Sequence, residues 1–160
     1  GARTMAEIER KLSALGLALP PLPKPIASFI PFRVARGLVY LAGQTCEREG
    51  SMAYQGRVGV EVALADARLA AQLCGLNLLA ALSAACDGDL DRVSHCVRVA
   101  GYVQSSAGFA HVPRVVDGAS ELFIALWGED GRHARTAIGV ATLPLDAAVE
   151  IDAIFELREY

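Results

Sequence analysis

GRHARTAIGVATLPLDAAVEIDAIFEL, running from Gly131 to Leu157, decides how this chain is read. Successive side chains on a strand point to opposite faces, and the apolar alternation here describes two strands joined by LPLDAA, Leu143 to Ala148. On the first strand Arg135 shares a face with Ala137, Gly139 and Ala141, and Ala134, Thr136, Ile138 and Val140 share the other. On the second, Glu150, Asp152 and Glu156 stand with Ile154, while Val149, Ile151, Ala153 and Phe155 line the opposite side. The pattern predicts a hairpin in which a carboxylate faces the arginine. The turn does not set the register, so Glu150 and Asp152 both stand as that carboxylate. Two readings of Arg135 follow. It is an ordinary cross-strand ion pair, contributing about 0.2–1 kcal/mol. Or its planar donors fork around a ligand carboxylate beside small side chains that leave room, with a nearby glutamate activating a water.

Working outward, Val93 to Gln104 is valine-rich with patchy alternation and reads as a strand, as does the apolar LVYLA, Leu38 to Ala42, which Gly43-Gln44 ends. Thr45 to Gly59 is glycine-punctuated and polar, a loop with a short strand or hairpin. Val62 to Ala85 reads as a long helix closed by Gly88 and Asp89, and a second long helix runs from about Arg114 to Trp127. Upstream, Thr4 and Glu7 fit a capping box ahead of Ile8, Leu12 and Leu15 at helical spacing, with Gly16 as the stop. The proline-rich LPPLPKP, Leu19 to Pro25, is a stiff connector. The chain therefore reads as one domain over 1–160, with 1–24 as an N-terminal helix and linker extension. Its class is α+β, with two long helices packed on one face of a partly antiparallel sheet.

The 160 residues suffice for one core, and a content of 53% hydrophobic and 21% charged residues suits a globular chain that covers apolar surface by oligomerising. A formal net charge of -3 argues against nucleic acid and acidic membranes as partners. Leu69 to Cys86 is uncharged over 18 residues, but Gln72, Asn77 and Ser83 interrupt it, which favours a buried helix over a membrane span. Cys46, Cys74, Cys86 and Cys96 form no C-x-x-C pair and no zinc spacing with a histidine, which predicts reduced thiols, a cytoplasmic protein and no metal. No apolar signal segment opens the sequence. No G-x-S-x-G, P-loop or G-x-G-x-x-G occurs, which leaves acyl transfer and nucleotide binding without support.

Three stretches resemble the RidA (YjgF) family, also called L-PSP endoribonuclease-like: GLVYLAGQT from Gly37, LAAQLCGLNLLAAL with GDLDRV from Leu69 to Val93, and HARTAIGVATLPLDAAVEIDAIF from His133 to Phe155. The resemblance runs from about Pro25 to the C-terminus, and the N-terminal helix resembles that of a longer subgroup. It implies a chorismate-mutase-like, YjgF-like fold: a mixed sheet backed by two helices, closed into a homotrimer with ligand clefts between subunits. It implies hydrolytic deamination of small 2-imino or 2-enamino acids to a 2-keto acid and ammonia, with no cofactor. By motif, Arg135 holds the substrate carboxylate, the Ala137 backbone amide supports it, Glu150 holds the attacking water and Gly43 lies in the cleft. Phe29 stands where many deaminating members have tyrosine, and Gly118 where the family has asparagine. His133 shares Arg135's face and reads as a solvated residue at the strand's mouth; His95 and His111 read as surface or core histidines.

Two other functions stand beside deamination. The loss of the tyrosine hydroxyl at Phe29 favours a non-catalytic trimer that binds small carboxylates and acts in regulation. The family's endoribonuclease or translation-inhibitor label is opposed by the acidic charge and the lack of a basic, aromatic-interleaved surface.

Overall fold

The computed structural model describes residues 6–159. In chain order the elements are α1 (Glu7–Ala14), β1 (Phe32–Ala35), β2 (Leu38–Thr45), β3 (Glu47–Arg48), β4 (Ser51–Met52) and α2 (Leu64–Ala85). Then follow β5 (Val93–Gln104), α3 (Val112–Trp127), β6 (Ala134–Val140) and β7 (Val149–Leu157). Five strands form one mixed sheet in the order β1-β2-β7-β5-β6, and β3 with β4 makes a separate small hairpin.

The sheet corrects the hairpin expected of the opening stretch. β6 pairs parallel with β5, whereas β7 lies antiparallel between β2 and β5. β5 thus separates the two strands. The reason is burial: Val149, Ile151, Ala153 and Phe155 are 0–2% exposed, so β7 needs a neighbour on each side and takes the sheet's centre. β6, with only intermediate and exposed residues, serves as an edge. Its parallel pairing with β5 requires a crossover, which α3 supplies. β1 was not legible as a strand. It is short and exposed, and it joins β2 through a two-residue turn in which Arg36 and Gly37 both have positive φ, 51° and 78°.

Residues paired across the ladder share a face. Val39, Ala153, Phe155, Val99 and Val103 turn toward α2 and α3 and form the core. The other face carries Tyr40, Arg98, Tyr102, Ile138, Glu150, Asp152 and Ile154, and among the described residues no helix lies over it. α2 is buried on most of its circumference, including Leu78, Leu79 and Leu82, each contributing about 1.5–3 kcal/mol by burial. Among the described residues it is long and apolar enough by composition to cross a membrane, and 72% of its most apolar window is buried inside the protein, as a core helix requires. Asn77, 1% exposed, is satisfied because its amide donates to the carbonyls of Thr45 (3.0 Å) and Glu47 (2.9 Å), tying α2 to the end of β2. All four cysteines are buried and unpaired in disulfides.

The capping role expected of Thr4 lies outside the described residues. Two orphan amides at the start of α1, those of Glu7 and Ile8, donate instead to the Asp91 carboxylate at 2.9 and 3.0 Å. Ile8 and Leu12 form the buried face of this helix.

Candidate functional site

β2 is irregular between Leu41 and Gln44, where its pairing with β7 shifts. That irregularity places Gly43 against Glu150: a Cβ built on Gly43 would sit 2.8 Å from Glu150 Oε2. The two residues line a cleft of about 480 Å³ with Phe29, Thr45, Met52 and Leu145. Three residues expected at a site, Phe29, Gly43 and Glu150, are therefore brought together by the fold. Burial, and then the charge of Asp152, raises the Glu150 carboxyl above its ordinary value. Burial also raises Asp152, against the hydroxyl of Tyr102, which donates to it at 3.1 Å, and the charge of Arg98. Two carboxylates next to each other in a half-buried setting are suited to holding and moving a proton.

Arg135 lies elsewhere. It pairs in register with Val99, which pairs with Ala153, on the helix-facing side, whereas Glu150 pairs with Tyr102 on the helix-free side. Within one chain the sheet stands between them, and the expectation that a β7 carboxylate faces Arg135 across a hairpin is corrected. Its ion-pair partner is Asp117 on α3, at 2.7 Å from Nη1. The same nitrogen donates to Ser120 Oγ at 3.2 Å, and Nη2 donates to the Pro113 carbonyl at 3.2 Å. Ala137 follows on the same face, opposite Gly101 of β5.

His133 is not a solvated mouth residue. Its Nδ1 lies 2.7 Å from the Gly131 carbonyl, which can only accept, so Nδ1 carries the proton and Nε2 accepts from Ser120 Oγ at 2.8 Å. Ser120, 6% exposed, then offers its lone pair to Arg135. Burial keeps His133 neutral by lowering its proton affinity; the bond to Gly131 opposes this and the charge of Arg135 adds to it. Asp117 and Ser120 thus hold the guanidinium, and His133 holds Ser120. The signal for two of them was present in DGAS: Asp117 and Ser120 are spaced i, i+3 and share a helix face.

Gly118 belongs to neither group. A Cβ there would lie 2.1 Å from the Arg68 carbonyl oxygen, so this glycine lets α3 close on α2. Expected at substrate binding, it serves within this chain as a helix-packing residue. His95 is a surface residue between Glu156 (3.1 Å) and Asp130 (3.3 Å). Among the described residues no three histidine, cysteine, aspartate or glutamate side chains gather in a way that could hold a metal ion.

A mixed sheet with helices on one face, a bulged second strand and a carboxylate in the cleft beside it define a two-layer α+β protein of the chorismate-mutase-like kind. The chain belongs to the YjgF family: the family described as "YjgF/chorismate mutase-like, putative endoribonuclease" matches residues 9–157. It is similar to protein TCP17 of Trypanosoma cruzi, with 35% identity over 152 residues and 94% of each chain covered. Among solved structures it is similar to Atu1372 of Agrobacterium tumefaciens, a protein "with unknown function", at 42% identity and a TM-score of 0.89, covering 94% of this chain and 92% of that one. It is also similar to a "putative endoribonuclease" of Shewanella oneidensis at 29% identity and a TM-score of 0.90, covering 94% and 99%.

Proposed function

We propose that this protein is a hydrolytic deaminase of 2-imino and 2-enamino acids, working in clefts between the subunits of a homotrimer. The observation that carries the reading is Glu150, a half-buried carboxylate of raised proton affinity pressed against the Gly43 backbone in an open cleft. An imine carbon is already electrophilic, so a positioned water and an anchored substrate suffice. Glu150 takes a proton from water as the water oxygen bonds to C2. The nitrogen of the resulting carbinolamine is protonated, its bond to C2 breaks, and ammonia leaves as the hydroxyl loses its proton and becomes the keto group. A carboxylate of raised pKa suits both taking and returning that proton.

Arg135 anchors the substrate carboxylate in this reading, with the Ala137 amide beside it. Since Arg135 and Glu150 lie on opposite faces of one sheet, a complete site takes its arginine from a neighbouring copy. The helix-free sheet face supports assembly, because Tyr40 and Ile138 are 44% and 45% exposed there with Ile154 between them in the sheet. Four free, buried thiols favour a reducing compartment, the cytoplasm. The test is ammonia release from freshly generated 2-aminoacrylate by wild type, Arg135→Ala and Glu150→Gln. Acceleration by wild type and its loss in both folded variants is expected; folded variants as active as wild type contradict the reading.

A second reading, a carboxylate binder without turnover, is favoured by one observation: Asp117, Ser120 and the Pro113 carbonyl already occupy the guanidinium of Arg135. It predicts thermal stabilisation by 2-keto acids with no product formed.

A further inference from the structure

The turn between β6 and β7 holds two successive non-glycine residues in the left-handed region, Leu145 at φ 54° and Asp146 at φ 59°. Such a conformation persists only where the surroundings impose it. Here they do. Gln104, 3% exposed, donates from Nε2 to Asp146 Oδ1 at 2.7 Å and accepts the Leu143 amide at 2.8 Å. The Gly56 amide donates to the Asp146 carbonyl at 3.0 Å, and Gln55 Nε2 donates to the Leu145 carbonyl at 3.0 Å. A buried glutamine thus holds the strained turn from both ends of its amide, and its Nε2 also donates to the Gly56 carbonyl at 3.1 Å. The side chain this turn presents is not a core residue: Leu145 is 66% exposed and lines the Glu150 cleft. Further lining comes from the segment just after the proline-rich connector, where Ile26 is 76% and Phe29 47% exposed. These apolar side chains line the cleft beside Glu150 and stand outside the chain's own core.

We infer that Leu145, Ile26 and Phe29 form a side-chain pocket, and that the substrate is a 2-imino acid carrying a branched aliphatic or aromatic side chain. The inference rests on the deaminase reading and names its substrate class. The volume agrees with it. About 480 Å³ falls in the range of roughly 300–1,000 Å³ typical of pockets for larger ligands, and a three-carbon acid would leave most of it empty. The lining is mixed: Ile26, Phe29, Met52, Pro144 and Leu145 supply the apolar surface for a side chain, and Lys24, Gln44, Thr45 and Glu47 line the same cleft.

The experiment compares ammonia release from imines that an amino-acid oxidase generates from leucine, phenylalanine and alanine, for wild type, Leu145→Ala and Ile26→Ala. Wild type is expected to favour the leucine or phenylalanine imine over the alanine imine at least about tenfold in kcat/KM, and Leu145→Ala to cut that ratio by about tenfold, the scale of lost methylene contacts in a specificity pocket. A wild-type ratio near unity, or a ratio that neither substitution moves, overturns the inference. If wild type releases ammonia from none of them, the deaminase reading falls and binding decides the pocket separately. Titrations with 4-methyl-2-oxopentanoate, phenylpyruvate and pyruvate then serve as probes. Preference for the first two that Leu145→Ala erases upholds the pocket. Equal affinities, or no binding because a second copy of the chain fills the cleft, overturn it.

Discussion

Gly43→Ala separates the fold from the chemistry at a single atom. The new methyl would stand 2.8 Å from Glu150 Oε2, 3.1 Å from Cδ and 3.4 Å from Cγ. No backbone atom is among these neighbours, so the fold can accept the methyl if the Glu150 carboxyl swings aside by several tenths of an ångström. The stability cost is therefore small, about 1 kcal/mol or less, a shift of roughly 2–4 °C in Tm for a chain of this size. The cost in rate is larger, because a displacement approaching 1 Å in a catalytic group lowers activity on the order of a hundredfold. The assay pairs a thermal melt with imine hydrolysis, and the expected outcome is a near-native Tm with ammonia release reduced about ten- to a hundredfold. Undiminished activity would refute the reasoning by showing that the reacting atoms are not at Glu150. A Tm lower by more than about 8 °C would refute it differently, by making Gly43 a requirement of the fold.

Gly118→Ala should do the reverse: its methyl meets the Arg68 carbonyl at 2.1 Å, so overpacking of about 1–3 kcal/mol is expected to lower Tm by several degrees while KM of the folded fraction stays constant. Glu150 has a folded-state pKa above its ordinary 4.5, so its ionisation costs stability. That cost is absent where the group is protonated both folded and unfolded, and it grows as pH rises through the folded value. Glu150→Gln is therefore expected to raise Tm near neutral pH and to lose this advantage below about pH 4, as read by melts across the range. Asp117→Asn removes the charge opposite Arg135; the pair is partly exposed at 22% and 39%, so the loss of stability should be about 1 kcal/mol or less. The freed guanidinium should bind 2-keto acids several-fold more tightly by calorimetry, and weaker binding would show that Asp117 holds Arg135 in its ligand-binding pose.

What the sequence made legible follows from where its signals are local. β5 was readable from Val93 to Gln104 because valines recur along it, and α2 was readable because glycine and aspartate close a long apolar stretch. The neighbours of β6 and β7 were not. An apolar strand, a short connector and another apolar strand are compatible with a hairpin and equally with insertion of β7 between β2 and β5, and only tertiary burial separates the two. The face of Arg135 followed from period two, but its partner did not, since Asp117 reaches it from another element. The left-handed Leu145 carries no local signal at all: leucine is a poor residue for that conformation, and the glutamine that imposes it lies 41 positions away by the numbering of Gln104 and Leu145.

Complementation between inactive copies tests most directly whether Arg135 and Glu150 form one site from two subunits. Arg135→Ala and Glu150→Gln proteins, each without activity alone, are unfolded, mixed in equal amounts and refolded together. In a cyclic assembly where each site takes its arginine from one subunit and its glutamate from the next, about a quarter of the sites regain both residues, and about a quarter of wild-type ammonia release should return. A correctly assembled mixture that stays inactive would contradict the account, since the two residues would then have to act within a single chain or not act together at all.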